Sequence, residues 1–386
     1  MHSSKLILIA VAAALIAACG PGVKIPPVHE PLDSEEWQRC SGELAKRESV
    51  GMIDDLTLDS KTLLCQGVVA ANEGNINEAL ELLTEAGVRD KEDHRPHYLA
   101  GRILAENGRY EEALAAFERS QARYPEMEVP TERLGRKVMD RDGDAAALSF
   151  LAKADQRSLC PYGCRGLLAR LHHRAGEDEK AKTIYGKMMK EAPGEPAAYV
   201  GMASLSNAEG DHMAESEWLT KATRAAHFKD LSDAAQADIH YSHAFSRYNV
   251  RKYKGAAASI DRAIKMIGDK ADWWVLAGWV QLKLEDPAVA LVKFDKAASL
   301  DEGMAAAQTG RGDALMALGR KADAKVAFAR ARELDQSNSV IILKLAHATA
   351  ALGDKTAAQA LLDEAIALDK EHLPPELLSK VTELLQ

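Results

Sequence analysis

The sequence predicts an all-helical repeat solenoid, and three observations carry that expectation. Glycine or a polar stand-in recurs at Gly74, Gly108, Asp142, Gly176 and Gly210, then after one longer interval at Arg251, Glu285, Gly319 and Gly353, so that seven of eight intervals are 34 residues. That period fits two antiparallel helices and two tight turns, a unit that cannot bury its apolar face alone and stacks on copies of itself. The composition is 47% apolar but only 5% aromatic, which suits helices crossing closely at small residues rather than a sheet-based enzyme. The formal charge of −9 comes without a long run of either sign, which favours solubility and disfavours a nucleic-acid surface.

The chain opens with a targeting segment. Lys5 precedes the apolar stretch LILIAVAAALIAA, which stops at Cys19 and is too short to span a bilayer comfortably. The tetrapeptide Ile16-Ala17-Ala18-Cys19 resembles the lipobox of bacterial lipoproteins. That resemblance implies removal of residues 1–18, a diacylglyceryl group on Cys19, and a mature formal charge of −10 once Lys5 is gone. The competing description is an ordinary secretory signal or a short membrane anchor. Two or three acyl chains anchor a protein stably where one holds only marginally. Residues 19–34 carry four prolines and no helical period, and read as an extended tether. By resemblance to enterobacterial sorting, Gly20 after the lipidated cysteine implies the periplasmic face of the outer membrane.

Residues 35–59 are expected to hold a short amphipathic capping helix around Trp37 and a linker. Five hairpins follow over 60–224. An insertion at 225–236 accounts for the 41-residue interval between Gly210 and Arg251, either as a longer second helix or as a widened turn. Four more hairpins fill 237–370. In 371–386, Pro374 and Pro375 start a last helix, Glu376 to Leu385, which covers the end of the solenoid.

Four further cysteines, Cys40, Cys65, Cys160 and Cys164, are an even number in an exported protein and favour disulfides. The local connectivity, Cys40 with Cys65 and Cys160 with Cys164, is the simplest of the three available. Cys160-Pro161-Tyr162-Gly163-Cys164 crosses a turn, where proline and glycine keep the chain out of helix. Three residues between the cysteines and Arg165 after them fit neither a redox pair nor a haem site, and only His172 and His173 stand near enough to complete a zinc site.

The hairpins resemble tetratricopeptide repeats. The second unit has Ala100-Gly101 at the close crossing, Leu104, Gly108 at the turn, Ala113, Phe117 and Pro125. The fourth shows Leu168-Ala169, Gly176, Ala181, Tyr185 and Pro193. The seventh shows Trp274, Ala277-Gly278, Ala290, Phe294 and Ala297, and the eighth Gly312, Gly319, Ala324, Phe328 and Ala331. The resemblance covers about residues 60 to 370 and implies a right-handed superhelix of about nine hairpins. Glu215 departs from it in place of a small residue, and Leu151 stands where an aromatic is usual.

In such stacks the first helix of each hairpin lines the groove. The groove positions assign two patches. One is a basic ladder, Arg102, Arg136 and Arg170 in register with His173 beside the last, suited to carboxylates or phosphates through forked hydrogen bonds. The alternative is that each arginine pairs locally, for instance with Glu132, or stays solvated. The other patch is aromatic and apolar: Tyr241, Phe245 and Tyr248, then Val275, Trp279 and Leu282. Exposed, it marks a binding surface; covered, it is core. His347, alone in the ninth unit, reads as a solvated residue.

No phosphate-cradling loop, zinc-ligand pair or nucleophile elbow occurs in the sequence, and no catalytic residue, metal or cofactor is expected. The expected function is a non-enzymatic, lipid-anchored periplasmic scaffold. Its groove would take an extended peptide or helix of another envelope protein during assembly of an envelope machine, such as a pilus secretin, outer-membrane protein or polysaccharide-export system. A glycan- or peptidoglycan-binding module, with aromatic rings stacking on sugars, is the alternative.

Overall fold

The computed structural model describes residues 41–42, 59–369 and 371–386. The leader 1–18, Cys19, the tether, Cys40 and the helix expected around Trp37 lie outside them. From Asp59 onward the described residues form nineteen α-helices and one 3₁₀ turn, without a strand. This is the all-α repeat solenoid expected from the sequence. The chain divides into two compact units, whose described parts end at Pro193 and run from Gly194 to Gln386.

The first unit holds four hairpins: α1 (Ser60–Asn72) with α2 (Ile76–Arg89), α3 (Arg95–Glu106) with α4 (Tyr110–Arg123), α5 (Thr131–Asp142) with α6 (Asp144–Gln156), and α7 (Tyr162–Arg174) with α8 (Asp178–Glu191). The second begins with α9 (Pro196–Ala208) and α10 (His212–Arg224). It continues with α11 (Asp233–Asn249) and α12 (Tyr253–Met266), α13 (Ala271–Lys283) and α14 (Pro287–Leu300), α15 (Ala305–Ala317) and α16 (Lys321–Leu334), and α17 (Ser339–Ala350) and α18 (Lys355–Asp369). It ends with α19 (Pro375–Leu385).

Five of the nine hairpins show one packing rule directly. The first helix offers glycine or alanine, and a large residue sixteen positions later presses on it: Leu83 on Gly67, Phe117 on Gly101, Leu151 on Gly135, Phe294 on Gly278, Phe328 on Gly312. Small residues let the helix axes approach and leave the ring or isobutyl group to fill the gap. The alanine four residues before each large side chain (Ala79, Ala113, Ala147, Ala181, Ala256, Ala290, Ala324 and Ala358) is fully buried. Glu215 occupies that place in the fifth hairpin and is itself buried. It accepts a hydrogen bond from Asn207 Nδ2 at 2.9 Å, and its Oε2 lies 2.9 Å from His212 Nδ1, so the departure from alanine is satisfied locally rather than left unpaired. Burial raises the pKa of its carboxyl group, against the opposing hydrogen bonds.

The turns inside the hairpins repeat a C-terminal cap. A residue with positive φ ends the first helix, and the amide after it donates to the carbonyl five residues back, as Arg109 N does to Leu104 O at 2.9 Å. This is the helix-ending motif in which a left-handed residue satisfies orphaned carbonyls. Arg251 and Glu285 adopt the same conformation, φ 59° and 63°, with Lys252 N on Arg247 O and Asp286 N on Gln281 O. The third turn differs: Asp142 is the last residue of α5, and Gly143 next to it takes the positive φ.

The 41-residue interval lies inside the second unit. After α10 the chain makes a 3₁₀ turn, Phe228–Asp230, and α11 is seventeen residues long. His227 N donates to Gly194 O at 3.0 Å, and Phe228 and Leu231 pack with Val200, Leu219 and Ile239. The extra residues thus widen the connection and lengthen the following first helix, and they enter the core. At the other end α19 buries Val381, and Leu373 before it, against Ile342, Leu343 and Leu362, which covers apolar surface that a next hairpin would have buried.

Cys160 and Cys164 form a disulfide with Cα atoms 5.1 Å apart, but only Cys160 and Pro161 stay out of helix: Tyr162, Gly163 and Cys164 already form the first turn of α7. Cys65 is also disulfide-bonded, and Cys40, its expected partner, lies outside the described residues.

Candidate partner-binding surface

The three ladder arginines occupy equivalent places on α3, α5 and α7, but their surroundings differ. Arg102 is 7% exposed, so it is a buried side chain rather than a solvated groove cation. Arg136 donates to Glu132 Oε1 at 2.6 Å across one helical turn, the local pairing that the sequence left open. Arg170 is half-buried, and its Nη2 is buried with no hydrogen-bond partner. One turn earlier stands Gly166, whose missing side chain would have met Met188 and the Arg170 guanidinium. The Tyr185 hydroxyl nearby is pushed up to about 12 by burial, with the Arg170 charge opposing. His173 Nδ1 lies 2.6 Å from Asp178 Oδ1 and His172 Nδ1 2.6 Å from Glu177 Oε2, so each imidazole is oriented by an acid five residues on. The ladder is one buried arginine, one paired arginine and one with an unused donor.

The aromatic patch is not an exposed surface. Tyr241 is buried and stacks on Trp273, ring centres 5.6 Å apart, in a core with Leu276 and Val280 against which Phe245 and Tyr248 pack half-buried. Val275 is buried in the next core, where Trp279 meets Phe294 edge-on at 5.1 Å and Leu282 packs alongside. The reason is that successive first helices also stack on one another, and an aromatic side chain is large enough to fill the space between them. What remains at the surface is parts of Phe245, Tyr248, Trp279 and Leu282.

Two lysines that the sequence reading passed over complete this region. Lys270 Nζ donates to Asp238 Oδ1 at 2.7 Å and lies 4.5 Å from the Trp273 ring centre. Lys344 bonds Asp313 and sits 5.4 Å from the Trp279 ring centre. Each lysine thus meets an aspartate 32 or 31 residues earlier and a tryptophan face, a charge-assisted bond joined to a cation–π contact. A spacing slightly under one repeat was the available signal. Asp238 keeps its second oxygen buried and unbonded. Burial raises the pKa of Asp313 despite Lys344 and Lys283. His347 is half-buried, its pKa lowered by burial and by Lys380 and Lys321.

Among the described residues no three His, Cys, Asp or Glu side chains gather as a metal site, and no helix is long and apolar enough to cross a membrane. A cleft of about 400 Å³ between the second and third hairpins is lined by Tyr110, Glu112, Arg141, Ser149 and Phe150, with the Arg141 guanidinium 4.7 Å over the Tyr110 ring.

The tetratricopeptide-repeat family model matches residues 66–128, 241–305 and 275–339. The fold resembles the C-terminal part of a TPR repeat-containing protein from Cytophaga hutchinsonii (12% identity, 64% of this chain and 98% of that one, TM-score 0.49). It also resembles PilF of Pseudomonas aeruginosa (16% identity, 57% and 96%, TM-score 0.46). A third likeness is to YrrB, described as a TPR protein with an unusual peptide-binding site (22% identity, 52% and 97%, TM-score 0.41). No curated protein matches the chain.

Proposed function

Taking the chain as the tetratricopeptide-repeat solenoid that its hairpins form, we propose that it is a non-enzymatic scaffold. Its first-helix surface takes a peptide or helix of a cell-envelope protein, and a lipid on Cys19 holds it at the periplasmic face of an outer membrane. Tetratricopeptide repeats mediate protein–protein interactions. The observation that carries the reading is Arg170. A guanidinium whose Nη2 is buried and unbonded, on a side chain only half-buried, gives up no hydrogen bond at that nitrogen when it swings outward to a partner's carbonyl or carboxylate. The anchor and the envelope location rest on the lipobox resemblance at Ile16–Cys19. Glycan binding through aromatic stacking is less favoured, because the Tyr241 and Trp273 rings face each other and the Trp279 face is covered by Lys344.

Photocrosslinking in the producing cells, from a reactive amino acid at Gly163 or His173 beside Arg170, tests this. A single envelope protein captured there and lost in Arg170→Ser supports the scaffold. Capture of no protein, together with retention of the chain on peptidoglycan, overturns it.

A further inference from the structure

The second helices of hairpins six to eight differ in charge from the chain as a whole. Together α12, α14 and α16 hold nine lysines and arginines against four acids, a net of +5 in a chain whose total is −9. All four acids are already in ion pairs: Asp261 with Lys293 at 3.6 Å, Asp295 with Arg311 at 2.6 Å, Asp323 with Arg320 at 2.6 Å and Glu333 with Arg330 at 2.8 Å. Lys254, Arg262, Lys265, Lys296 and Lys325 have no acidic partner among the described residues, and all but Lys325 are exposed.

The same faces carry Val292 and Val326, 64% and 70% exposed, the most exposed large apolar side chains among the described residues. They are 34 residues apart and so hold the same place in successive hairpins. A cation follows each by one helical turn, Lys296 after Val292 and Arg330 after Val326, and Arg262 stands the same way after Ala258 on α12. Three neighbouring helices thus repeat one motif, an aliphatic residue and a cation on a common outward face.

We propose that this face docks on an anionic lipid surface. Unpaired cations on long flexible stems meet phosphate headgroups at many equivalent positions, and short isolated aliphatics insert shallowly beside them. A protein partner anchored here would call for a shaped apolar pocket or a held guanidinium. The valines stand singly, and the unpaired cations are mostly lysines, which act as point charges rather than fixed forks. The inference is independent of the Arg170 surface.

The test places a photoreactive diazirine amino acid at position 326 or, as the control, at position 88. Val88 is 63% exposed but lies on α2, where three glutamates face one arginine. The full chain carrying Cys19→Ala, so that attached lipid plays no part, is mixed with vesicles of phosphatidylglycerol and phosphatidylethanolamine, or of phosphatidylcholine alone. The expected result is lipid labelling from position 326 on the anionic vesicles. It should fall about tenfold in high salt or in Lys296→Glu/Lys325→Glu, and be weak from position 88. Equal labelling from both positions, equal labelling on both vesicle types, or no effect of the charge reversal overturns the proposal. Capture of polyglutamate with no lipid labelling assigns the face to an acidic protein and overturns it too. Circular dichroism of the charge-reversed chain, unchanged from the parent, shows that a loss of labelling is not a loss of fold.

Discussion

Gly310 of α15 meets the ring of Phe294 of α14 with no room between them for a methyl group. Phe294 is fully buried and also presses on Gly278 within its own hairpin, so one ring locks two neighbouring hairpins together through two bare Cα positions. Gly310→Ala must push the ring off both, and overpacking of this kind costs about 1–3 kcal/mol. Gly186, inside α8, has nothing within 4 Å of where its Cβ would stand; there the same change should stabilise by about 0.5–1 kcal/mol through helix propensity. Urea midpoints followed by circular dichroism should move in opposite directions for the two variants.

Arg251 and Glu285 hold left-handed turns, φ 59° and 63°, where the other hairpins of the second unit use Gly210, Gly319 and Gly353. A side chain in that conformation costs about 1 kcal/mol, which glycine avoids. Arg251→Gly and Glu285→Gly are each expected to raise stability by roughly that amount, less a few tenths for the freer unfolded chain. Neither residue forms an ion pair among the described residues, so no lost contact offsets the gain. A thermal melt that falls for both variants contradicts the assignment of these turns.

The turn and crossing positions were legible because each has one physical demand, repeated from hairpin to hairpin. Asp142 shows the limit: it keeps the 34-residue register, yet the adjacent Gly143 takes the positive φ, since a glycine one residue away reaches that conformation without strain. The surface was read less well. Tyr241 and Val275 lie on the face that lines a groove, but whether that face is open depends on how far the next first helix stands away. That distance is set by side chains one repeat further on, such as Trp273 for Tyr241 and Ala307 for Val275. The Asp238–Lys270 and Asp313–Lys344 pairs were missed because their spacing is a few residues short of the period.

His240 and His243 on α11 should make the second unit acid-labile. His240 meets Phe228 edge-on at 5.4 Å and its Nδ1 is buried without a partner; His243 Nε2 lies 3.1 Å from Thr220 Oγ1. Burial, with Arg247 and Arg262 adding, lowers their pKa values to about 4 and about 3 from 6.5. The unfolded chain therefore binds more protons than the folded one as pH falls below about 6.5. Stability is full above that value and declines until the folded values are reached. Between pH 7.5 and 5 the loss is on the order of 2 kcal/mol per histidine. His240→Phe should flatten the slope of urea midpoint against pH over that range, and an unchanged slope refutes the assignment. His97 on α3, lowered to about 4 by burial and by Arg123 and Arg119, predicts the same trend in the first unit.

The Cys160–Cys164 bridge closes a loop of only a few residues, and its value follows from that. Cross-linking a loop this short removes about 2 kcal/mol worth of unfolded-state freedom, well below what a long-range bridge contributes. Both cysteines are buried, and the segment is held independently: Arg165 Nε donates to Cys160 O at 3.2 Å, and Thr131 Oγ1 bonds Leu159 O. Cys160→Ala/Cys164→Ala is therefore expected to fold, to lose about 2 kcal/mol, and to exchange amide hydrogens faster in the first turn of α7 while the core of α3 and α4 keeps its protection. Global loss of protection would show that the bridge organises the hairpin rather than trimming its entry. Arg170, two turns further along α7, would then depend on the disulfide for its position, and reduction would weaken partner capture at that helix as well.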